Sequence, residues 1–128
     1  MKPETRVRLD AALATLNHAQ TLNDSGDAPT AIKEAYQASI QIAAAYMADV
    51  NGRDFLLDDG VYYIFSRTIQ ESGRHLQFED KIAETVRTVF VLHEAYEPAL
   101  LHETTAKDAQ QMIDHVSELR GVVESVLA

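Results

Sequence analysis

PTAIKEAYQASIQIAAAYMADV, residues 29 to 50, is the stretch on which the fold turns. Ile32, Ala35, Tyr36, Ser39, Ile42, Ala43, Tyr46, Met47 and Val50 fall on one broad helical stripe. Pro29 suits a first helical turn, where its missing N–H costs nothing, and Gly52 suits the residue that stops the helix. Ala43-Ala44-Ala45 carries little bulk and lets a neighbouring helix approach closely.

The flanking sequence supplies those neighbours. Upstream, Pro3 to about Leu22 reads as a helix with the apolar row Leu9, Leu13, Leu16 and Ala19, ended by the turn cluster Asn23 to Asp27. Downstream, Asp58-Asp59-Gly60 caps a shorter helix, Val61 to about Ser72, with Val61, Ile64, Phe65 and Thr68 inward. Val61 to Phe65 also favours a strand, but one such strand has no partner in this sequence, so helix is expected. Gly73 breaks the chain before a fourth helix, about Glu79 to Tyr96, with Ile82, Val86, Val89, Phe90 and His93 on one face and Pro98 beyond its end. Thr104 or Thr105 caps the last helix, Thr105-x-x-Asp108 forms a capping box, and Ala109, Met112, Ile113, Val116, Leu119, Val123 and Val126 make its stripe. The expected fold is an all-α, up-and-down antiparallel bundle of about five helices, one domain over residues 1 to 128.

Composition narrows the function by exclusion. The chain is 46% hydrophobic, enough for a real core, yet no apolar run approaches the roughly 18 to 20 residues of a membrane span. With no cysteine and no apolar leader in MKPETRVRLD, a cytoplasmic protein is expected. A net charge of −9 argues against broad duplex DNA binding and against anionic membranes. None of the five histidines has Glu or Asp three residues before it, no His-x-x-x-His pair occurs, and the glycines form no phosphate loop. No metal and no dinucleotide cofactor are therefore expected.

One constellation remains. Arg87, His93 and Tyr96 cluster toward the end of the expected fourth helix. A histidine there can activate a ribose 2′-hydroxyl or protonate a leaving oxygen, and an arginine can hold a phosphate by its fork of donors. Six helical steps set Arg87 and His93 about 120° apart and roughly 9 Å along the axis. A long arginine, a distorted helix end or a second subunit is needed to bring them to one phosphate. The plainer reading of the same residues is packing: His93 shares its face with Val86 and Val89, and Arg87 has Glu84 and Glu94 within reach. Residues 53 to 87 hold Arg53, Arg67, Arg74, Lys81 and Arg87, so Arg67 and Arg74 are candidate accessory phosphate contacts.

The whole chain resembles a HEPN domain, the all-helical "higher eukaryotes and prokaryotes nucleotide-binding" superfamily. Ala28 to Phe55, with its alanine- and tyrosine-rich face, is similar to the family's second helix. Phe78 to Ala128, with Thr104-Thr105-Ala106-Lys107-Asp108-Ala109, looks like its closing half. The resemblance implies a homodimer and, in many members, a metal-independent endoribonuclease of toxin type with an arginine four to six residues before a histidine. Arg87 and His93, five residues between them, fit that motif, while Tyr96 stands one residue later than in the toxin branch and Thr88 replaces a polar Asn or Asp. A second register matches Leu92-His93-Glu94-Ala95-Tyr96 to a non-toxin branch, with His93 at an arginine position and no catalytic pair. Two functions follow from the resemblance: RNA cleavage, with an antitoxin or nucleotidyltransferase partner, or a silent module that binds a nucleotide or a partner protein. A helical scaffold unrelated to nucleotides is the third reading.

Overall fold

The helix read over residues 29 to 50 runs Ala28–Asn51 (α2). The Asp27 side chain caps it by accepting from the Thr30 N–H, Pro29 lies in its first turn, and Gly52 ends it in the left-handed conformation at φ 70°. A computed structural model describes residues 1–52, 54–78 and 105–128. Around α2 it places α1 (Pro3–Asp24), α3 (Asp59–Glu71), a 3-10 turn (Arg74–Phe78) and α4 (Ala106–Leu127). All regular structure among the described residues is helical. The helix expected over residues 79 to 96 lies outside the described residues.

Local chemistry sets the other boundaries too. Asp58 accepts from the Gly60 and Val61 N–H groups and opens α3, which makes Val61 to Phe65 helical rather than extended. Thr105 and Asp108 form a reciprocal capping box at the start of α4. Lys2, the residue before α1, has no side-chain acceptor to offer its own helix. Asp49, from the last turn of α2, supplies one across the bundle: its Oδ1 accepts from the Lys2 N–H at 3.1 Å and the Thr5 hydroxyl at 2.7 Å. Burial pushes the Asp49 carboxyl up, but those two hydrogen bonds and the Lys2 charge outweigh it and hold it below the usual carboxylate value.

Pairings along the seams fix the directions. Lys2 meets Asp49 and His18 meets Glu34, so α1 and α2 are antiparallel. Asn23 meets Ala106 and Arg120 meets Leu9, so α1 and α4 are antiparallel as well. α2 occupies the middle: every residue from Ile42 to Met47 is buried, because α1, α3 and α4 all pack on it. The alanines at 43, 44 and 45 leave room for that. Ser39, buried among them, donates its hydroxyl to the Tyr36 carbonyl at 2.6 Å and so leaves no orphan donor. Where α2, α3 and the 3-10 turn meet, Tyr46, Phe65 and Phe78 pack edge to face, with ring centroids 5.2 to 6.2 Å apart.

Three residues read as inward are not. Leu13 is 39% exposed, Val50 38% and Ile64 43%. Ala12 is buried on α1 in the place Leu13 was expected to take, and Ile69 is buried on α3. On α1 the buried row is Thr5, Leu9, Ala12, Leu16, Ala19 and Asn23. At 100° per residue Leu13 lies about 80° from the centre of that row, at its edge. On α4, Leu127 is buried and Val126 only half-buried.

Candidate functional site

Arg87, His93 and Tyr96, the expected phosphodiester constellation, lie outside the described residues. The two accessory arginines are described, and each already has a partner. Arg67 stands on the outer face of α3 and its Nε donates to Glu71 one turn on, at 2.9 Å. That hydrogen bond and the Glu71 charge raise the guanidinium above its ordinary value. Both side chains are about two-thirds exposed or more, so the pair adds little stability. Arg74 follows the left-handed Gly73 and opens the 3-10 turn, from which its Nη1 donates to the Tyr46 hydroxyl at 3.2 Å. Tyr46 is a core residue, so Arg74 ties the surface to the aromatic junction. The two arginines therefore belong to different settings, one a surface pair and one a core strut.

The described residues hold a second polar feature that the sequence did not announce. Along the seam between α1 and α2, closed by the segment after Gly52, runs an open groove of about 340 Å³ lined by Arg8, Ala11, Gln41, Ala44, Asp54, Phe55 and Leu57. It continues into a smaller hollow of about 230 Å³ that shares Arg8 and Asp54 and reaches Lys2 and Thr5. Alanines make the groove: Ala11 on α1 and Ala44 and Ala48 on α2 stand where larger side chains would fill the seam. Arg8 pairs with Asp54 at the mouth, which leaves the groove with little net charge.

Gln41 is one of the lining residues. Its Oε1 is buried without a hydrogen-bond partner, a condition that costs about 1–3 kcal/mol in a folded protein. The groove thus has an apolar floor and an arginine–carboxylate pair at its rim, while the unpaired Gln41 oxygen is buried away from it. Its lining holds no histidine, serine or threonine. Gln41 had one faint sign in the sequence: it is a polar residue between Ile40 and Ile42, inside the most apolar of the described helices. Arg8 and Asp54 had none, because an arginine and an aspartate 46 residues apart meet only through the fold.

Among the described residues no group of three or more histidine, aspartate or glutamate side chains converges in a way that suits a metal ion. No described helix is long and apolar enough to cross a membrane. Comparison with family models, curated proteins and solved structures finds no match for this chain.

Proposed function

We propose that the chain is a HEPN-like helical domain that acts as a homodimer and cleaves single-stranded RNA without a metal. In this reading His93 moves the proton of the attacking or leaving oxygen, Arg87 steadies the phosphate, and Tyr96 completes the site, with Arg67 and Arg74 as outer phosphate contacts. The observation that carries it is the spacing of Arg87 and His93, with five residues between them, followed by Tyr96. Support also comes from the setting: helices as all the regular structure among the described residues, an alanine- and tyrosine-rich central helix, and a Thr105-capped last helix. The loosely held, solvent-facing Arg67–Glu71 pair is compatible with a phosphate contact.

The net charge of −9 favours a second reading, a catalytically silent HEPN-like module whose ligand is a nucleotide or a partner protein. One experiment divides the two. Single-stranded RNA is incubated with wild type, Arg87→Ala and His93→Ala in chelator, and thermal stability is measured for each variant. Cleavage by wild type that falls at least tenfold in both variants, with their melting temperatures kept, supports the ribonuclease. Uncleaved RNA with wild type, or melting temperatures that fall while cleavage stays, overturns it and leaves these residues as packing. A monomeric mass in light scattering at tens of micromolar overturns the dimer.

A further inference from the structure

The three asparagines of this chain stand in three settings. Asn17, followed by His18, lies within α1, and Asn23 is buried with its amide pinned, because Nδ2 donates to the Ala106 carbonyl at 3.0 Å. Asn51 is the last residue of α2, exposed, and followed by Gly52. Asparagine is thermolabile because the backbone nitrogen of the next residue can attack its side-chain amide. A glycine at that next position has no Cβ to obstruct the five-membered ring that results. Gly52 also has open space around it: among the described residues, a Cβ placed there would meet only the Lys2 ammonium, at 3.8 Å.

The helix cap holds this reaction back. The Gly52 N–H donates to the Ala48 carbonyl at 2.9 Å, and the left-handed φ of 70° at Gly52 makes that bond possible. Ring closure turns the Gly52 nitrogen into an imide with no proton to donate, so the ring and the cap bond exclude each other. The last turn of α2 must open first. A helix end opens at lower cost than its middle, and Val50, 38% exposed, adds little burial to resist it. Asp49 ties the same turn to α1 through the Lys2 N–H and the Thr5 hydroxyl.

We infer that Asn51–Gly52 is a self-modification site, where asparagine converts to aspartate and isoaspartate at a rate set by opening of the last α2 turn. In the opened turn the Gly52 nitrogen gives up its proton and bonds to Asn51 Cγ. The Cγ–Nδ2 bond breaks, and Nδ2 leaves with a proton as ammonia. Water then opens the succinimide ring. Attack at Cγ leaves an aspartate; attack at the backbone carbonyl carbon leaves an isoaspartate, which lengthens the main chain by one methylene. Either product adds a negative charge at a helix C-terminus, where the macrodipole disfavours it, close to the Asp49 that ties α2 to α1. The released ammonia is lost, so the change accumulates with the time each molecule spends open. This site uses none of residues 87 to 96 and stands whether or not the chain cleaves RNA.

The full chain is incubated at mildly alkaline pH, folded and in guanidinium chloride, with conversion followed by peptide mass spectrometry and enzymatic methylation of isoaspartate. The protection of each asparagine is its rate in the unfolded chain divided by its rate in the folded one. Asn51 is expected to be protected about ten- to a hundredfold, and Asn17, within a helix though exposed, at least tenfold more than Asn51. Guanidinium below the unfolding transition should leave the Asn51 rate nearly flat, because opening one turn exposes little surface. Gly52→Ala separates the chemistry from the cap. Its methyl group should slow conversion in the unfolded chain at least tenfold, while an alanine at φ 70° strains the cap and should lower the protection of Asn51. Products without isoaspartate, equal Asn51 rates in the folded and unfolded chain, or Asn51 as protected as Asn17 overturns the inference. So does an Asn51 rate that climbs with denaturant at the slope of global unfolding, or protection that Gly52→Ala leaves unchanged.

Discussion

Between α1 and α2 the polar contacts sit at the ends and the middle is alanine: Lys2 and Thr5 bond Asp49 at one end, and His18 bonds Glu34 toward the other. Between α1 and α4 they run the whole length, from Asn23 and Gln20 through Arg120 to Arg6. The two seams join antiparallel helices of similar length, so the contrast has another cause. α1 and α2 are tied by a tight turn, Ser25 to Asp27, which limits how far they can slide. α4 arrives from more than 80 residues away and no turn sets its register against α1. Directional bonds must do that, because apolar side chains adhere without choosing a register.

The apolar seam should respond to lost volume and the polar seam to lost partners. Ile42→Ala hollows the fully buried middle of α2 and is expected to cost about 2–5 kcal/mol in urea unfolding. A loss within the range of a surface substitution would show that α2 is not the centre of the core. Next in size is Arg120→Met, which keeps the apolar stem but removes the guanidinium, 13% exposed, that donates to the Leu9 carbonyl and to Glu124. A cost of about 1.5–3 kcal/mol is expected, with little recovery at high salt because the group is mostly screened from solvent.

The Gln20–Gln110 pair sharpens the comparison further. Either single change to leucine strands an amide and should cost about 1–3 kcal/mol, less where water reaches it. The double change removes both amides and should cost less than the sum, a coupling that a double-mutant cycle measures. Strict additivity would mean that the pair does not set register. Smallest is Asp49→Asn, at about 1 kcal/mol near neutral pH. Because the folded carboxyl titrates below its ordinary value of 3.8, its contribution is complete above that value. It disappears as pH falls through the lower folded value. The wild-type and variant stability curves should therefore converge on acidification, and a constant gap down to the acid limb would contradict the Asp49 cap.

Much of this architecture can be read from the residues because the signals were local. Pro29, Gly52, Asp58 and the Thr105–Asp108 box each act within four residues of a helix end, and all stand at helix boundaries. The α2 stripe is legible for a related reason: over its buried middle, Ile42 to Met47, every face is inward, and the reading fails only at its last turn, where Val50 is exposed. α1 and α3 expose a face, so the exact azimuth matters there. Choosing Leu13 and Ile64 for their hydrophobicity misplaced them by less than a third of a turn. The groove was not legible at all. It is an absence of bulk at Ala11 and Ala44, a property that matters only once α1 and α2 are side by side. Arg87, His93 and Tyr96 carry the strongest chemical signal in the sequence and fall outside the described residues, so their arrangement rests on the cleavage and stability measurements.

The ion pair of Arg6 with Glu124, 3.1 Å long, brings the first turn of α1 and the last turn of α4 to the same end of the molecule. A short glycine-rich tether between residues 1 and 128 would therefore close the chain into a ring without moving a helix. Opening that ring at Gly26, whose φ of 92° marks an exposed reversal with nothing crowding it, would give a circular permutant in which α4 runs directly into α1. The register that distant polar bonds now specify would become a hairpin, and the α1–α2 register would become the long-range one. Lower contact order on one seam and higher on the other predicts that refolding rates respond to Gln20 and Gln110 in the natural order and to Asp49 in the permuted one.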